Sequence, residues 1–234
     1  GRHAIYTAQR FRDSIVLAVD LSLTSLAYAK RKTCELGIAG IEYRQGDILA
    51  LGSLSERFDV IECSGVLHHL EDPLAGWRIL CSLLRPGGVM RIGLYSEIAR
   101  RSVVRAREFI AQQGFEPTPE GIRRCRAAIL ARGDGELPAG TAKSEDFYSM
   151  SGCRDLMFHV QEHRFTLLQI AALVEHLGLT FIGFELTYPG AATRYRGQFP
   201  GDRTLSNLDN WHRFELAYPH TFVRMYQFWV RRKG

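Results

Sequence analysis

Short, continuously apolar runs alternate along the first hundred positions with stretches whose apolar residues recur every three or four. Ile15 to Val19 is one such run and ends at Asp20, as expected of a strand covered on both faces. Ser22 then supplies an N-cap, Leu23, Leu26 and Ala27 an inward stripe, and Gly37 a left-handed stop for a helix. Ile41 to Asp47 and Phe58 to Gly65 predict two further strands. Asp72 as N-cap, Pro73 in the first turn, and Leu74, Trp77, Leu80, Cys81 and Leu84 facing inward predict a helix stopped by Pro86-Gly87-Gly88. Val89 to Leu94 is the next strand. This alternation implies parallel pairing, right-handed crossovers and a ligand site at the carboxyl ends of the strands.

The rhythm stops between Glu97 and Phe165. Two Arg-rich helical stretches, Glu97 to Gln113 and Pro119 to Ala131, lead through "RGDGELPAGTAK" into "SEDFYSMSGCRDLMFHVQEHRFT". An insertion of this length folds as a small helical element rather than a loop. Periodicity then returns: "TLLQIAALVEHLG" predicts a helix capped by Thr166 and ended by Gly178. "LTFIGFEL" is a strand, "LSNLDNWHRFELAYP" a helix and "TFVRMYQFWVRR" a long final strand. The expected organisation is therefore residues 1–96, a helical insertion at 97–165, and a return to the first domain at 166–234.

Composition sets limits on these readings. The chain has 234 residues, 46% of them hydrophobic, enough for a packed core. No apolar run approaches a membrane span and the start lacks a signal-peptide pattern, which predicts a cytoplasmic protein. The cysteines Cys34, Cys63, Cys81, Cys125 and Cys153 are scattered, without a C-x-x-C pair, so neither a disulfide framework nor a thiolate metal site is indicated. The net charge of +5 is concentrated in Arg100, Arg101, Arg105, Arg107, Arg123, Arg124, Arg126 and Arg132. That lobe reads as a solvated helical face or as a patch for an acidic partner. Nucleic acid is disfavoured, because only Phe109 and Phe115 offer faces for stacking there.

Two kinds of chemistry-bearing residues stand out. Asp20 and Asp47 follow strands, where a carboxylate accepts from the hydroxyls of a ribose or caps a helix. "HVQEH", His159 to His163, is on paper the H-x-x-E-H zinc pattern. It needs the two histidines on one helical face and a third ligand; Glu185 and His212 can be named, but no spacing selects them. The expectation is no metal.

"VLAVDLSLTSLAYAKRK", "YRQGDI", "FDVIECSGVLHHLEDPLAGWRILCSLLRPGG" and "MRIGLYS" occur in that order. Together they resemble the class I S-adenosylmethionine-dependent methyltransferases over about the first 95 residues. The resemblance implies an α/β fold: a Rossmann-like, doubly wound, mostly parallel sheet with an antiparallel last strand, and S-adenosyl-L-methionine as cofactor. It implies that Asp20, with Leu21 beside it, holds the ribose hydroxyls, and that Asp47 and Ile48 lie by the adenine. Cys63, Ser64 and Gly65 would pass under the methionine part, and Leu67 to Leu70 would border the methyl. The family's first strand and most of its glycine-rich turn have no counterpart here. Gly1 looks like the last glycine of that turn and Arg2 to Phe11 like the following helix, so a fragment truncated at its N-terminus is expected.

The same resemblance makes the insertion a lid that shapes the acceptor pocket. His69 is then a general base toward a hydroxyl acceptor, or a pocket wall like its neighbour His68. Tyr95 hydrogen-bonds the acceptor or merely packs. Tyr148, Arg154, His159, Glu162 and His163 line the acceptor site or form an exposed helix face. The activity implied is in-line methyl transfer to an unidentified O, N or C acceptor; the alternative is a non-catalytic interaction module of the same fold. A nicotinamide oxidoreductase shares the strand-Asp signal but not the "VLHHLEDP…LLRPGG" order.

Overall fold

The computed structural model describes residues 2–11, 13–132, 137–159, 161–223 and 225–233. The chain divides into two compact units, Gly1–Arg57 with Arg78–Leu83, and Phe58–Trp77 with Leu84–Gly234.

The first unit holds helix α1 (Arg2–Arg10), strand β1 (Val16–Asp20), helix α2 (Leu23–Glu35) and strand β2 (Ile41–Gln45). β1 and β2 pair in parallel from Val16↔Ile41 to Asp20↔Gln45, as the alternation of apolar run and helix required. Ser22 Oγ accepts from Ser25 N at 3.1 Å and caps α2. Gly37, at φ +63°, ends the helix in the conformation that a side chain would resist. The buried face of α2 differs from the expected one: Leu26, Ala29 and Thr33 are buried, whereas Leu23 and Ala27 are exposed. The helix is rotated because Thr33 turns inward, where its hydroxyl bonds Ala29 O at 2.9 Å and Tyr43 OH at 2.6 Å. Hydrophobicity alone could not anticipate a threonine on that face.

The second unit is built on a four-stranded sheet of order β3-β4-β6-β5, comprising β3 (Phe58–Ser64), β4 (Leu84–Tyr95), β5 (Leu179–Phe184) and β6 (Met225–Arg232). β3 runs parallel to β4, and β6 lies antiparallel to both β4 and β5. The final strand is thus inserted between two earlier ones. Asp72 Oδ1 accepts from Leu74 N and Ala75 N at 2.9 and 3.1 Å, capping α3 (Pro73–Leu83). β4 starts at Leu84 rather than Val89, because Leu84 already pairs with Phe58 ahead of a bulge. Met90, Ile92 and Leu94 alternate into the core opposite Tyr226, Phe228 and Val230 of β6.

Helix α7 (Leu167–His176) opens with a reciprocal capping box between Thr166 and Gln169. α8 (Pro189–Gln198) had no periodic signal; it is held by Tyr195, whose ring stacks 3.9 Å from Trp211 of α9 (Leu208–Ala217). The inserted helices α4 (Arg101–Gln113), α5 (Pro119–Leu130) and α6 (Met150–Phe158) enclose a cluster of their own around Phe109, Ile122, Cys125, Phe147 and Cys153. Among the described residues, no helix is long and apolar enough to cross a membrane.

Candidate functional site

β3 ends beside a position of β4 that has no room for a side chain. Ser64 pairs with Gly93 across the ladder, and a Cβ on Gly93 would come within 2.2 Å of Ser64 Oγ. Gly65 follows at φ +79°, its N–H directed to Gly93 O at 3.3 Å. The chain then turns through the short 3-10 segment Leu67–His69, which brings two histidines beside the last residue of β4. The His68 ring stacks on Tyr95 at 3.7 Å with a 25° tilt, and the His69 ring meets Tyr95 edge-on at 5.7 Å.

A distant segment closes over this corner. α6 ends at Phe158 and His159 is extended, at φ −62° and ψ 137°. Residues 161–165 lie outside any helix, so His159 and His163 do not share a helical face and the helical premise of the H-x-x-E-H reading is corrected. The backbone groups freed by leaving the helix find partners elsewhere, as buried ones must. His163 N donates to His68 O at 2.8 Å, Phe165 N to Tyr95 O at 2.9 Å, and Glu97 N to Phe165 O at 3.0 Å. Gln161 reaches the corner twice: its side-chain amide donates to Leu70 O at 3.4 Å and its carbonyl oxygen lies 3.1 Å from His69 Nδ1. His159 and His69 rings sit 4.1 Å apart.

Glu162, whose side chain has no exposed surface, is held at both oxygens by Arg100, itself 2% exposed. This bidentate pairing is the arrangement in which a buried carboxylate is tolerated. It also removes Glu162 from any role as a water-activating carboxylate. The Arg100 guanidinium carbon lies 3.9 Å from the Tyr95 ring centroid. His68 is fully buried and neither ring nitrogen has a hydrogen-bond partner among the described residues. Burial, reinforced by the charges of His69 and Arg100, lowers its pKa to about 3. His69 is half-buried, and burial moves its pKa below the ordinary histidine value. Burial likewise raises Tyr95, and pushes the Cys63 thiol up to about 12, which makes it an inert core group.

In the first unit Asp20 and Asp47 both act as local caps. Asp20 Oδ1 accepts from Ser22 N at 2.8 Å and Asp47 Oδ1 from Leu49 N at 2.9 Å. Each leaves its second carboxylate oxygen without a bond in the described residues. Leu21 is exposed and its carbonyl accepts from the Gln45 amide at 3.0 Å, while Ile48 opens the 3-10 segment Ile48–Ser53.

Of the acceptor-side residues expected from sequence, His68, His69, Tyr95, His159 and His163 come together. Tyr148 and Arg154 are exposed, and among the described residues no contact ties either of them to that corner. Gly1 lies outside the described residues. The basic lobe is not a uniform patch: Arg100 and Arg107 turn inward, Arg107 onto the His159 carbonyl, and Arg105 pairs with Glu108 at 2.8 Å. Sequence reasoning missed Gln161 and assigned Arg100 to the surface. Arg100 and Glu162 are 62 residues apart, and no local periodicity encodes such a pairing. Among the described residues no group of three or more His, Cys, Asp or Glu side chains is placed to hold a metal ion.

Residues 1–92 match the family described as a methyltransferase domain. The chain is 31% identical over 221 residues to an uncharacterized Synechococcus sp. protein, which covers 90% of this chain and 52% of that one. It is 34% identical over 89 residues to the ubiquinone biosynthesis O-methyltransferase of Azotobacter vinelandii, 38% of each chain. In structure it is similar to PKMT2 from Rickettsia typhi, solved also in complex with AdoHcy. The TM-score is 0.68 at 16% identity, covering 97% of this chain and 46% of that one. The chain spans at most about half the length of these curated relatives.

Proposed function

We propose, on the match of residues 1–92 to a methyltransferase domain, that the chain is part of a class I S-adenosylmethionine-dependent methyltransferase and takes part in methyl transfer to an acceptor bearing an ionisable proton, with His69 as the base. S-adenosylmethionine, when bound, supplies an electrophilic methyl on a sulfonium centre. Residues of the first unit suit its adenosine part. In the first unit, the oxygen that Asp20 keeps free of Ser22 can accept from ribose hydroxyls, and that of Asp47 from the adenine amine. In the second unit, the turn after β3 is open beside His69: a Cβ at Gly65 would meet nothing within 4 Å.

The observation that carries the reading is the contact of His69 Nδ1 with Gln161 O. A carbonyl oxygen only accepts, so Nδ1 carries the proton and the neutral ring keeps its lone pair on Nε2. A pKa held below the ordinary value by burial leaves this nitrogen unprotonated at neutral pH. It is therefore ready to take a proton from an attacking hydroxyl or amine.

Calorimetry with S-adenosylhomocysteine tests the proposal. The chain is expected to bind it, and Asp20→Ala to abolish binding while leaving the fold intact by circular dichroism. Absence of binding by the unaltered chain would count against the reading, and equal binding by the variant would release Asp20 from its role.

A further inference from the structure

Glu162 collects more cations than it can neutralise. Arg100 occupies both of its oxygens, yet Arg107 Nη1 and Arg164 Nη1 also approach to 3.7 and 3.8 Å. Those distances exceed hydrogen-bond length. Arg107 and Arg164 side chains are 26% and 33% exposed, so neither is dissolved in bulk water nor fully paired. Arg107 spends one donor on the His159 carbonyl; among the described residues, Arg164 is tied to Glu162 by the long contact. Burial, opposed by Glu162 but aided by the Arg164 and Arg100 charges, holds Arg107 below the ordinary guanidinium range. The nearby carboxylates that act on His69 or Tyr95, Asp155 and Asp146, are on the exposed surface. Partly desolvated guanidinium donors in excess of acceptors form a receptor for an oxyanion.

The position of this excess matters. Arg107 is bonded to the residue whose ring lies 4.1 Å from His69, and Arg164 adjoins His163, whose N–H is bonded to His68 O. We propose that the molecule bound at the His69 corner carries an oxyanionic group, carboxylate or phosphate, which Arg107 and Arg164 hold. That this molecule is the methyl acceptor rests on the reading of the preceding section; the anion site itself does not.

The test is calorimetry on the full chain with benzoate, phenyl phosphate and benzamide, in the presence of S-adenosylhomocysteine. Both anions are expected to bind saturably and the isosteric neutral amide not to. The tighter of the two identifies carboxylate or phosphate as the group served. Arg164→Gln should weaken anion binding about tenfold, the worth of one charge-assisted hydrogen bond, with the affinity for S-adenosylhomocysteine unchanged. Benzamide binding as tightly as benzoate, no saturable binding of either anion, or anion binding indifferent to both Arg164→Gln and Arg107→Gln would each overturn the proposal. Loss of S-adenosylhomocysteine binding alone would instead remove the methyltransferase reading and leave the anion site standing.

Discussion

His69 Nδ1 and the Gln161 carbonyl oxygen lie 3.1 Å apart across 92 residues of sequence. Since the carbonyl holds the proton on Nδ1, the base in the proposed reaction would be Nε2, and its loss would remove proton transfer without touching cofactor binding. His69→Ala is expected to lower kcat by about a hundred- to ten-thousand-fold with the S-adenosylhomocysteine affinity unchanged. The profile of kcat/KM should rise with pH through a pKa below the ordinary 6.5 and be flat at neutral pH. A profile still rising above pH 7 would assign the base elsewhere.

His68 makes a separate prediction about stability. Its folded-state pKa of about 3 lies below the ordinary value of 6.5, so in that interval the unfolded chain binds a proton that the folded chain refuses. Stability is then fully present above about pH 6.5 and falls as the solution is acidified toward pH 3. His68→Phe, which keeps a ring against Tyr95, should flatten this dependence in urea midpoints measured across the interval. An unchanged slope would locate the acid sensitivity in other groups.

The Arg100 and Glu162 pair should be costly to break and less costly to replace. Glu162→Ala strands three guanidinium groups around an apolar gap and is expected to destabilise by about 3–5 kcal/mol. The double variant Arg100→Met with Glu162→Leu should lose less than the sum of Arg100→Met and Glu162→Leu taken singly. Urea unfolding of the four proteins closes the cycle, and strict additivity would mean that the two residues act independently.

Gly93 controls the spacing of β3 and β4 beside the corner. Gly93→Ala would bring a methyl within 2.2 Å of Ser64 Oγ and 3.0 Å of Ser64 Cα; only the first contact can be relieved by turning a side chain. A loss of about 1–3 kcal/mol is expected, measured by thermal unfolding. Ser64→Gly in the same background should return part of it.

Much of the architecture was legible because it is local. The caps Ser22, Asp72 and Thr166 and the stop at Gly37 act within a few residues of the backbone they satisfy, so sequence order alone identifies them. The antiparallel last strand followed from the family resemblance and is present as β6 between β4 and β5. Where legibility failed, the determining partner was remote or not apolar: Thr33 set the face of α2 through Tyr43, and α8 is held by a tyrosine stacked on Trp211.

The site shows the same division more sharply. Sequence by itself determined that a strand ends near Gly65, that a turn carrying two histidines follows, and that the polar stretch His159 to His163 lies near the end of the insertion. It could not determine that this segment leaves the helix at Phe158 and lies against the histidines. That outcome depends on Arg100 capturing Glu162 and on Gln161 and His163 bonding the 68–70 backbone. Such contacts join groups far apart in the chain, and their strength comes from burial that exists only once the sheet and the inserted helices have packed. Tertiary structure thus turned a zinc-like string of letters into one wall of a corner built from histidines and arginines.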